Sequence, residues 1–526
     1  MQRLLFLFTL ISSLLCSQAQ DRYACTSIMV GNKASTDGSV MTSHCCDSWY
    51  RTWMQIVPAK DYPNDTVMSV YEGRMHTEKP NDQTGLKEKG QVPQASHTYR
   101  FLDTAYPCLN EHQLAIGETT YGGRDTMQNK QGMFMIEELE RIVLQRCTTA
   151  RDAIRLMGQL VKEYGYGDSG ECLTIADKKE VWIFEIQGEG PDQIGAVWAA
   201  QRIPDDEVGV SANVSRIGKL DLKNKDMFMA SDNVKSVAKK MGLWDGNEEF
   251  SFWRAYSGGN YFDEPKNYSV RELYIMQQLA PNAGFNDQMC ELPVSFRPEH
   301  KVSVDEVSHL LGSYYEGTEQ SLSCRLDSIA AHAALEHKQM KNAMIANPWM
   351  RPDEIALHAA ALGDTTMTNI RTVSVSWCAY STVIQLRSWL PDAIGGVAWI
   401  SFDNPGMSPR FPIFAGTTEL PMMLGICGQH SYRDDAALTH FRQTNRVASV
   451  RWGKTRTTLQ PAQQYFLDKG ARELPFVDQT WQQLQAEDPA RAETFLNGYT
   501  ADFFGATLLK WDDLYKQYWR QLWAGF

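Results

Sequence analysis

A cysteine stands at position 25, shortly after an apolar N-terminal stretch, and it opens a β-like run over residues 25–31. If the chain is cut before this residue, one amino acid carries both a thiol nucleophile and a free α-amine. The ordinary pKa of a thiol is about 8.5 and that of an α-amine is about 7.7–8.0, so the amine can accept the thiol proton near neutral pH. The thiolate can then attack an amide carbonyl and form an acyl-enzyme that water releases. Cys25 therefore points to amide hydrolysis without a metal or a cofactor.

The first residues of the chain predict export and removal of a leader. Arg3 precedes a mostly apolar core over residues 4–15, and small residues stand at the −3 and −1 positions of a cut after Ala19. This pattern is typical of a signal peptide over residues 1–19 and implies a secreted or periplasmic protein. Residues 20–24 then remain as a short propeptide, and we expect the Cys25 thiol itself to cleave the bond that follows Ala24.

Composition narrows the class of protein. The 526 residues are 43% hydrophobic and carry a net charge of −12, which argues against nucleic acid or an anionic membrane surface as the main partner. No later apolar run is long enough for a membrane-spanning helix. A lipid anchor on Cys16 is disfavoured by the bulky Leu15 before it. Among eleven cysteines there is no C-x-x-C pair, and we expect no Cys and His pair at metal-binding spacing and no metal; the disulfides stay unassigned.

Hydrophobic patterns predict an α+β fold with antiparallel sheets and helices outside them. A hairpin is indicated by Asp37-Gly38, and residues 61–94 are polar enough for a surface excursion. Two helices are predicted near residues 135–143 and 154–164, with Thr149 and Asp152 as a capping pair for the second. Further strands are predicted over residues 113–119, 171–176, 181–186, 195–201, 208–213, 372–386 and 396–402. We expect one catalytic domain over residues 25–430 and a helical C-terminal region over residues 431–526.

Several blocks of the chain resemble one family in the expected order. These blocks are Cys25-Thr26-Ser27-Ile28-Met29-Val30-Gly31, residues 34–39 with Asp47, and residues 109–120, 170–177, 180–182 and 197–213. They resemble the dipeptidase A family of N-terminal-nucleophile (Ntn) cysteine hydrolases, which is related to penicillin V acylase and the conjugated bile acid hydrolases. The likeness is specific from Cys25 to about Arg216 and weaker to about Phe414.

The resemblance implies a four-layer αββα sandwich and cleavage of dipeptides. It implies that Cys25 is the nucleophile, that Asp47 orients or polarises the Cys25 amine, and that Asn213 helps to hold the amine or the oxyanion. Many relatives have an arginine three residues before the position of Asp47, where it would lower the thiol pKa. This chain has His44 there, and whether His44 replaces that arginine stays open at this point.

Substrate-binding candidates come from residues near the predicted strand ends. Glu118 and Thr119 could face the cleft, Arg124 could receive a substrate carboxylate, and Arg271 is a weaker candidate for the same task. Dipeptides are the expected partners, and a homo-oligomer stays open. Two other functions also stay open: an acylase for N-acyl amides of the bile-salt or penicillin type, and a non-catalytic exported protein that binds peptide or glycan through its many aromatic residues.

Overall fold

The computed structural model describes residues 25–258, 266–318, 320–323, 325–326, 346–364, 366–367 and 371–524. The predicted signal peptide, the predicted propeptide, Cys16 and Cys324 lie outside these residues.

Two large antiparallel sheets dominate the described chain. In spatial order, the seven-stranded sheet contains β16 (Ser295–Phe296), β14 (Val208–Ser211), β1 (Ser27–Val30), β2 (Val40–Cys46), β17 (Tyr380–Leu386), β18 (Gly396–Phe402) and β19 (Phe411–Phe414). In spatial order, the eight-stranded sheet contains β15 (Phe228–Ala230), β13 (Ala196–Ile203), β12 (Val181–Gly188), β11 (Gly170–Ala176), β10 (Ala115–Gly122), β9 (Leu109–Asn110), β8 (Phe101–Asp103) and β3 (Gln55–Val57). Two small hairpins pair β4 (Lys60–Asp61) with β7 (His97–Thr98) and β5 (Val67–Glu72) with β6 (Lys87–Pro93).

Helices connect the strands and form the C-terminal region. They are α1 (Ile136–Arg146), α2 (Ala150–Tyr164), α3 (Val234–Lys240), α4 (Phe252–Tyr256), α5 (Val270–Leu279), α6 (Val304–Leu311), α7 (Pro352–Leu362), α8 (Asp392–Gly395), α9 (Ala437–Ser449), α10 (Trp452–Glu487) and α11 (Pro489–Trp523). Helices α1 and α2 pack on each other, and α2 contacts β11, β12 and β13. Helices α10 and α11 contact β19, and α9 contacts β18. Each large sheet is therefore covered in part by helices.

The two large sheets meet where β2 faces β10 and β11. The hydroxyls of Thr42 and Thr174 are 2.6 Å apart across this interface. The approach is closest at Gly117, where an added Cβ would lie 2.3 Å from the carbonyl oxygen of Ser43. A glycine is required there because any side chain would displace the facing backbone. This contact fixes the distance between the sheets next to the start of the described chain.

Several sequence predictions are confirmed by the structure. The chain is a mixed α and β protein with antiparallel sheets. β1 and β2 form an antiparallel pair through Val30 and Met41, and Gly38 in their connection has a φ of +88°. The hydroxyl of Thr149 accepts the backbone N–H of Asp152 at the start of α2, as the capping pattern predicts.

Residues 61–94 contain the β5–β6 hairpin, a mostly exposed two-stranded sheet outside the two large ones that is anchored by the buried side chains of Val70 and Val92.

One predicted segment differs from the structure. The predicted strand over residues 372–386 begins only at Tyr380. Its apolar first half is buried but irregular, because the carbonyls of Thr372 and Val373 accept hydrogen bonds from Arg371 instead of from a neighbouring strand.

Two further sequence expectations concern membranes and cysteines. In the described ranges, no helix is both long and apolar enough to cross a bilayer. The nine described cysteines are free thiols, and the adjacent Cys45 and Cys46 are among them.

We predict that Gly117→Ala destabilises the protein by about 1–3 kcal/mol, because the new methyl group would overlap the Ser43 carbonyl. The free energy of unfolding from chemical denaturation measures this effect. Gly498→Ala is the matched control: it lies inside α11 with no heavy atom within 4 Å of its added Cβ, so we expect a gain of up to about 1 kcal/mol. Equal effects of the two substitutions would contradict the close approach of the sheets.

Candidate active site

Cys25 lies at the head of β1 and is only 3% exposed. The next residue, Thr26, forms an antiparallel bridge with Cys45 of β2, and the Cys45 N–H donates to the Thr26 carbonyl at 2.9 Å. β1 is itself held between β2 and β14. Two neighbouring strands therefore fix the backbone that presents the Cys25 thiol.

Arg271 holds the Cys25 backbone from the side of α5. Its Nη1 donates to the Cys25 carbonyl oxygen at 2.6 Å and to Thr26 Oγ1 at 3.1 Å. Its Nη2 donates to Asn213 Oδ1 at 3.0 Å. The guanidinium is 3% exposed, so these hydrogen bonds compensate the loss of hydration of a buried cation. Arg271 thus joins Cys25 to Asn213.

Asn213 follows β14 in the left-handed region, with a φ of 63°. Asparagine tolerates this conformation better than most residues do. Its Nδ2 donates to the Thr120 carbonyl at 2.6 Å, while its Oδ1 accepts from Arg271. Because both ends of the side-chain amide are engaged, this arrangement favours holding the site together over direct contact with an oxyanion.

Asp47 directly follows β2 and is fully buried. Its Oδ2 accepts from Arg371 Nη2 at 2.8 Å, whereas its Oδ1 has no hydrogen-bond partner among the described residues. Burial raises the pKa of Asp47, and Arg371 is the largest of the opposing effects. One carboxylate oxygen near Cys25 therefore remains available to accept a hydrogen bond.

His44 and Glu118 complete a compact cluster with Cys25. The three potential ligand atoms of these buried side chains lie within 4.8 Å of one another. His44 Nε2 is 3.5 Å from Glu118 Oε2, and neither atom makes a hydrogen bond to another described residue. The imidazole is held edge-on by Tyr106 and Tyr380, with ring centroids at 5.2 and 5.9 Å. A thiol, an imidazole and a carboxylate could hold a metal ion, but they are equally a set for nucleophilic and acid–base chemistry.

The surroundings of Cys25 oppose formation of a thiolate in the uncut chain. Burial raises the pKa of the Cys25 thiol, and Glu118, Cys46 and Asp47 raise it further. The backbone N–H of Asp47 lowers it by donating to the sulfur. A further positive charge close to the sulfur would therefore favour the thiolate.

More carboxyl groups surround Glu118. Burial raises the pKa of Glu171 and Glu140, and Glu118 raises both further. Burial also raises the pKa of Asp168 to about 6. Several carboxyl groups that resist ionisation are therefore crowded on this side of the cluster, and a cationic group placed among them would favour their charged forms.

The other two predicted substrate-binding residues do not join this cluster through any described contact. The Thr119 hydroxyl is paired with Ser211 Oγ at 2.6 Å. The Arg124 Nε donates to the carbonyl of Ala255 at 2.7 Å, and its Nη2 donates to that of Arg254 at 3.3 Å. Both side chains therefore already have structural partners.

Local sequence patterns give little sign of the two arginines at the site. No motif marks Arg371, and the sequence marks Arg271 only as a weaker candidate for substrate binding. The Ser269–Glu272 capping box predicts a helix start that places Arg271 in the first turn of α5. Nothing local, however, connects Arg271 with Cys25 or Arg371 with Asp47, because 246 and 324 positions separate the members of these pairs.

We predict that Arg371→Gln lowers the free energy of unfolding by about 3–5 kcal/mol near neutral pH, because it leaves the Asp47 carboxylate buried without its cation. A folded-state pKa above the unfolded value means that stability falls as pH rises through the folded pKa. The substitution raises the pKa of Asp47 further, so its cost is smaller at about pH 5 than at about pH 8. Chemical denaturation at the two pH values measures this difference.

Arg433→Gln is the control for this prediction, because Arg433 forms an ion pair with Asp435 and both side chains are about half exposed. We expect a change below about 1 kcal/mol for this pair. A pH-independent loss in Arg371→Gln would contradict the role assigned to the Asp47 charge.

Comparison with known proteins places the chain in a family. The model of peptidase family C69 matches residues 24–464. A probable dipeptidase of Salmonella dublin is 29% identical over 404 residues, which cover 75% of this chain and 81% of that protein. A probable dipeptidase of Latilactobacillus sakei is 26% identical over 75% of each chain, and dipeptidase A of Lactobacillus helveticus is 21% identical over 76% of each. These matches confirm the resemblance found in the sequence: the chain belongs to peptidase family C69.

Proposed function

We propose that this protein is an exported cysteine dipeptidase that uses Cys25 as an N-terminal nucleophile after the residues before it are removed. The observation that carries the proposal is the buried cluster of Cys25, His44 and Glu118 at the head of β1, in a chain of peptidase family C69. The names of the relatives, which are dipeptidases or probable dipeptidases, support the substrate class.

Maturation follows from the same thiol. The Cys25 sulfur attacks the carbonyl carbon of Ala24, the C–N bond breaks, and the acyl group moves to sulfur as a thioester while the Cys25 nitrogen becomes a free amine. Water then hydrolyses the thioester, which releases the leader as a carboxylic acid and regenerates the thiol. The new α-ammonium adds a positive charge beside the sulfur, and Oδ1 of Asp47 is the acceptor proposed for it.

Hydrolysis of a dipeptide follows the same chemical steps, with the substrate in place of the leader. The α-amine takes the thiol proton, the thiolate attacks the peptide carbonyl, and the leaving amine takes the proton back as the C–N bond breaks. Water activated by the α-amine then attacks the aminoacyl thioester and releases the free amino acid. His44 lies close enough to the sulfur and to Glu118 to hold a proton during these steps.

A free amino group on the substrate distinguishes the dipeptidase from the acylase alternative. The carboxyl groups of Glu118, Glu171 and Glu140 lie close together, and an ammonium group next to the scissile carbonyl would favour their ionised forms. An N-acyl amide has no such charge. We therefore assign Glu118 to the amino end of the dipeptide and Asp47 to the amine of the enzyme.

We also propose the finer architecture. The two large sheets are the inner layers of an αββα sandwich, supported by the hydroxyl pair of Thr42 and Thr174 between them and by the helices that contact each sheet. Residues 25–430 form the catalytic domain and residues 431–526 a helical extension. The signal-peptide pattern over residues 1–19 supports a secreted or periplasmic location.

We predict that active protein begins at Cys25, whereas Cys25→Ala keeps the residues before it and hydrolyses no dipeptide. Cys25→Ser is expected to be processed slowly and to hydrolyse poorly, because serine is the weaker nucleophile at neutral pH. N-terminal sequencing of each protein, together with its dipeptidase rate, tests both statements. Full activity of a chain that still begins at Gln20 would refute the mechanism.

We predict that Glu118→Gln lowers kcat/KM for a free dipeptide by at least about tenfold, which is ~1.4 kcal/mol, because it removes the charge that faces the substrate ammonium. The rate for the N-acetylated form of the same dipeptide should change much less. Glu249→Gln, an exposed residue paired with Lys219, is the control and should change neither rate. Equal losses on the two substrates would assign Glu118 to another task and favour the acylase alternative.

A further inference from the structure

A second cluster of metal-ligand residues lies where the segment 424–430 crosses the loop that follows β2. Cys427, His430 and Glu78 each offer one ligand atom, and these atoms lie within 4.8 Å of one another. Cys427 and His430 stand in a C-x-x-H arrangement, while Glu78 comes from a distant part of the chain. The expectation that the chain has no Cys and His pair at metal-binding spacing is wrong: Cys427 and His430 form such a pair, and the fold brings Glu78 to it.

His430 faces two hydrogen-bond acceptors, whereas a neutral imidazole ring can donate to only one. Its Nδ1 lies 2.5 Å from Glu78 Oε1, and its Nε2 lies 2.8 Å from the Trp49 carbonyl oxygen. Both neighbours are acceptors, but a neutral imidazole carries a single N–H. A cation that replaces the proton between Nδ1 and the carboxylate also satisfies both ends, since Nε2–H then donates to Trp49; the Glu78 side chain must move away from Nδ1 to make room for it, because the two atoms are only 2.5 Å apart. Histidine ligands of metals commonly donate their other ring N–H to a backbone carbonyl in this way.

The third ligand is a buried sulfur. Cys427 is fully buried, and the Thr52 hydroxyl donates to its Sγ at 3.8 Å, a contact that also suits a thiolate. The side chains of Glu78 and His430 are 45% and 27% exposed. Solvent can therefore reach the cluster from one side and supply a fourth ligand, as zinc requires for tetrahedral coordination. Thiolate, imidazole and carboxylate together match the ligand preference of zinc.

The cluster lies next to the loop 48–54, which also packs against the active site. The segment 424–430 is tied to the loop 48–54 by several hydrogen bonds: the Met54 N–H donates to the Leu424 carbonyl at 2.7 Å, Gln429 Nε2 to the Ser48 carbonyl at 2.6 Å, and the Gly428 N–H to Thr52 Oγ1 at 3.1 Å. The same loop carries Tyr50, whose ring packs edge-on against Tyr106, the neighbour of His44. A cation bound here would hold the loop 48–54 in place against the segment 424–430.

We propose that Cys427, His430 and Glu78 bind a divalent transition-metal cation of the zinc class, which fastens the segment 424–430 to the loop 48–54. The cation is structural. The proposal is independent of the dipeptidase mechanism, which uses the Cys25 cluster and no metal.

Cobalt provides the test, because a Co²⁺–thiolate bond gives a charge-transfer absorption that reports a cysteine ligand directly. The experiment uses the full chain with Cys25→Ala, so that the Cys25 cluster cannot contribute a thiolate. Chelator-treated protein is titrated with Co²⁺ alone, without oxygen. We expect one Co²⁺ per chain with this absorption, its loss when Cys427→Ser is added, and at least about tenfold weaker binding with Glu78→Gln.

Cys290→Ser in the same background is the matched control, since Cys290 is an exposed free cysteine outside the cluster. It should leave the absorption unchanged. If Cys427→Ser does not fold, His430→Gln replaces it, and the charge-transfer absorption should then weaken at equal Co²⁺. Absence of the absorption in the Cys25→Ala protein, or its persistence with the ligand substitutions, would overturn the proposal and leave an imidazolium–carboxylate pair at this position.

Discussion

The hydrogen bonds of one buried guanidinium hold the backbone on which the site depends. Arg271 donates to the carbonyl of Cys25 and to the side chain of Asn213, so it ties the head of β1 to the end of β14. A chain terminus usually frays, because it lacks neighbours on one side. A nucleophile that is to act from the first residue of a chain therefore needs its carbonyl fixed from outside the strand, and Arg271 does this from α5.

The charges around Cys25 give a physical reason for coupling cleavage to activity. In the uncut chain, burial and the nearby carboxylates raise the pKa of the thiol. Arg271 donates to the Cys25 carbonyl and to an amide oxygen, and Arg371 donates to Asp47, so both guanidiniums hold parts of the site. In the proposed mechanism, the amine released by cleavage is the positive charge that makes the thiolate accessible. The same event thus creates the base and relieves the electrostatic penalty on the nucleophile.

The parts of the fold that follow from local patterns were predictable. The β1–β2 hairpin and the capped helix α2 depend on turn and cap residues within a few positions of one another. The early irregular part of the predicted strand before Tyr380 was not predictable, because its alternating apolar residues are buried without strand pairing. Two of its carbonyls accept from the neighbouring Arg371, and Ser374 is tied to Ser313 and Trp349, which are tertiary contacts that override the local pattern.

The residues of the candidate site also fall into two groups: those that lie in or next to family motifs and those that no motif marks. Cys25, Asp47 and Asn213 could be named from the sequence because family motifs mark them, and Glu118 and His44 lie in or next to those motifs. The arginines that hold them come from segments hundreds of positions away, where no motif marks them. Arg124 shows how a local pattern can mislead. A guanidinium after two glycines suggests a free receptor for an anion, but its donors are directed at the carbonyls of Arg254 and Ala255.

Identification of the acylated residue tests the central claim most directly. Active protein is mixed with a dipeptide, quenched in acid within the first turnover, digested with trypsin and examined by mass spectrometry. We predict an aminoacyl group on the peptide that spans residues 25–33. Cys25 is its first residue, and the acyl group is attached to the sulfur. An acyl group on any other residue, or turnover by protein in which Ala24 still precedes Cys25, would contradict it.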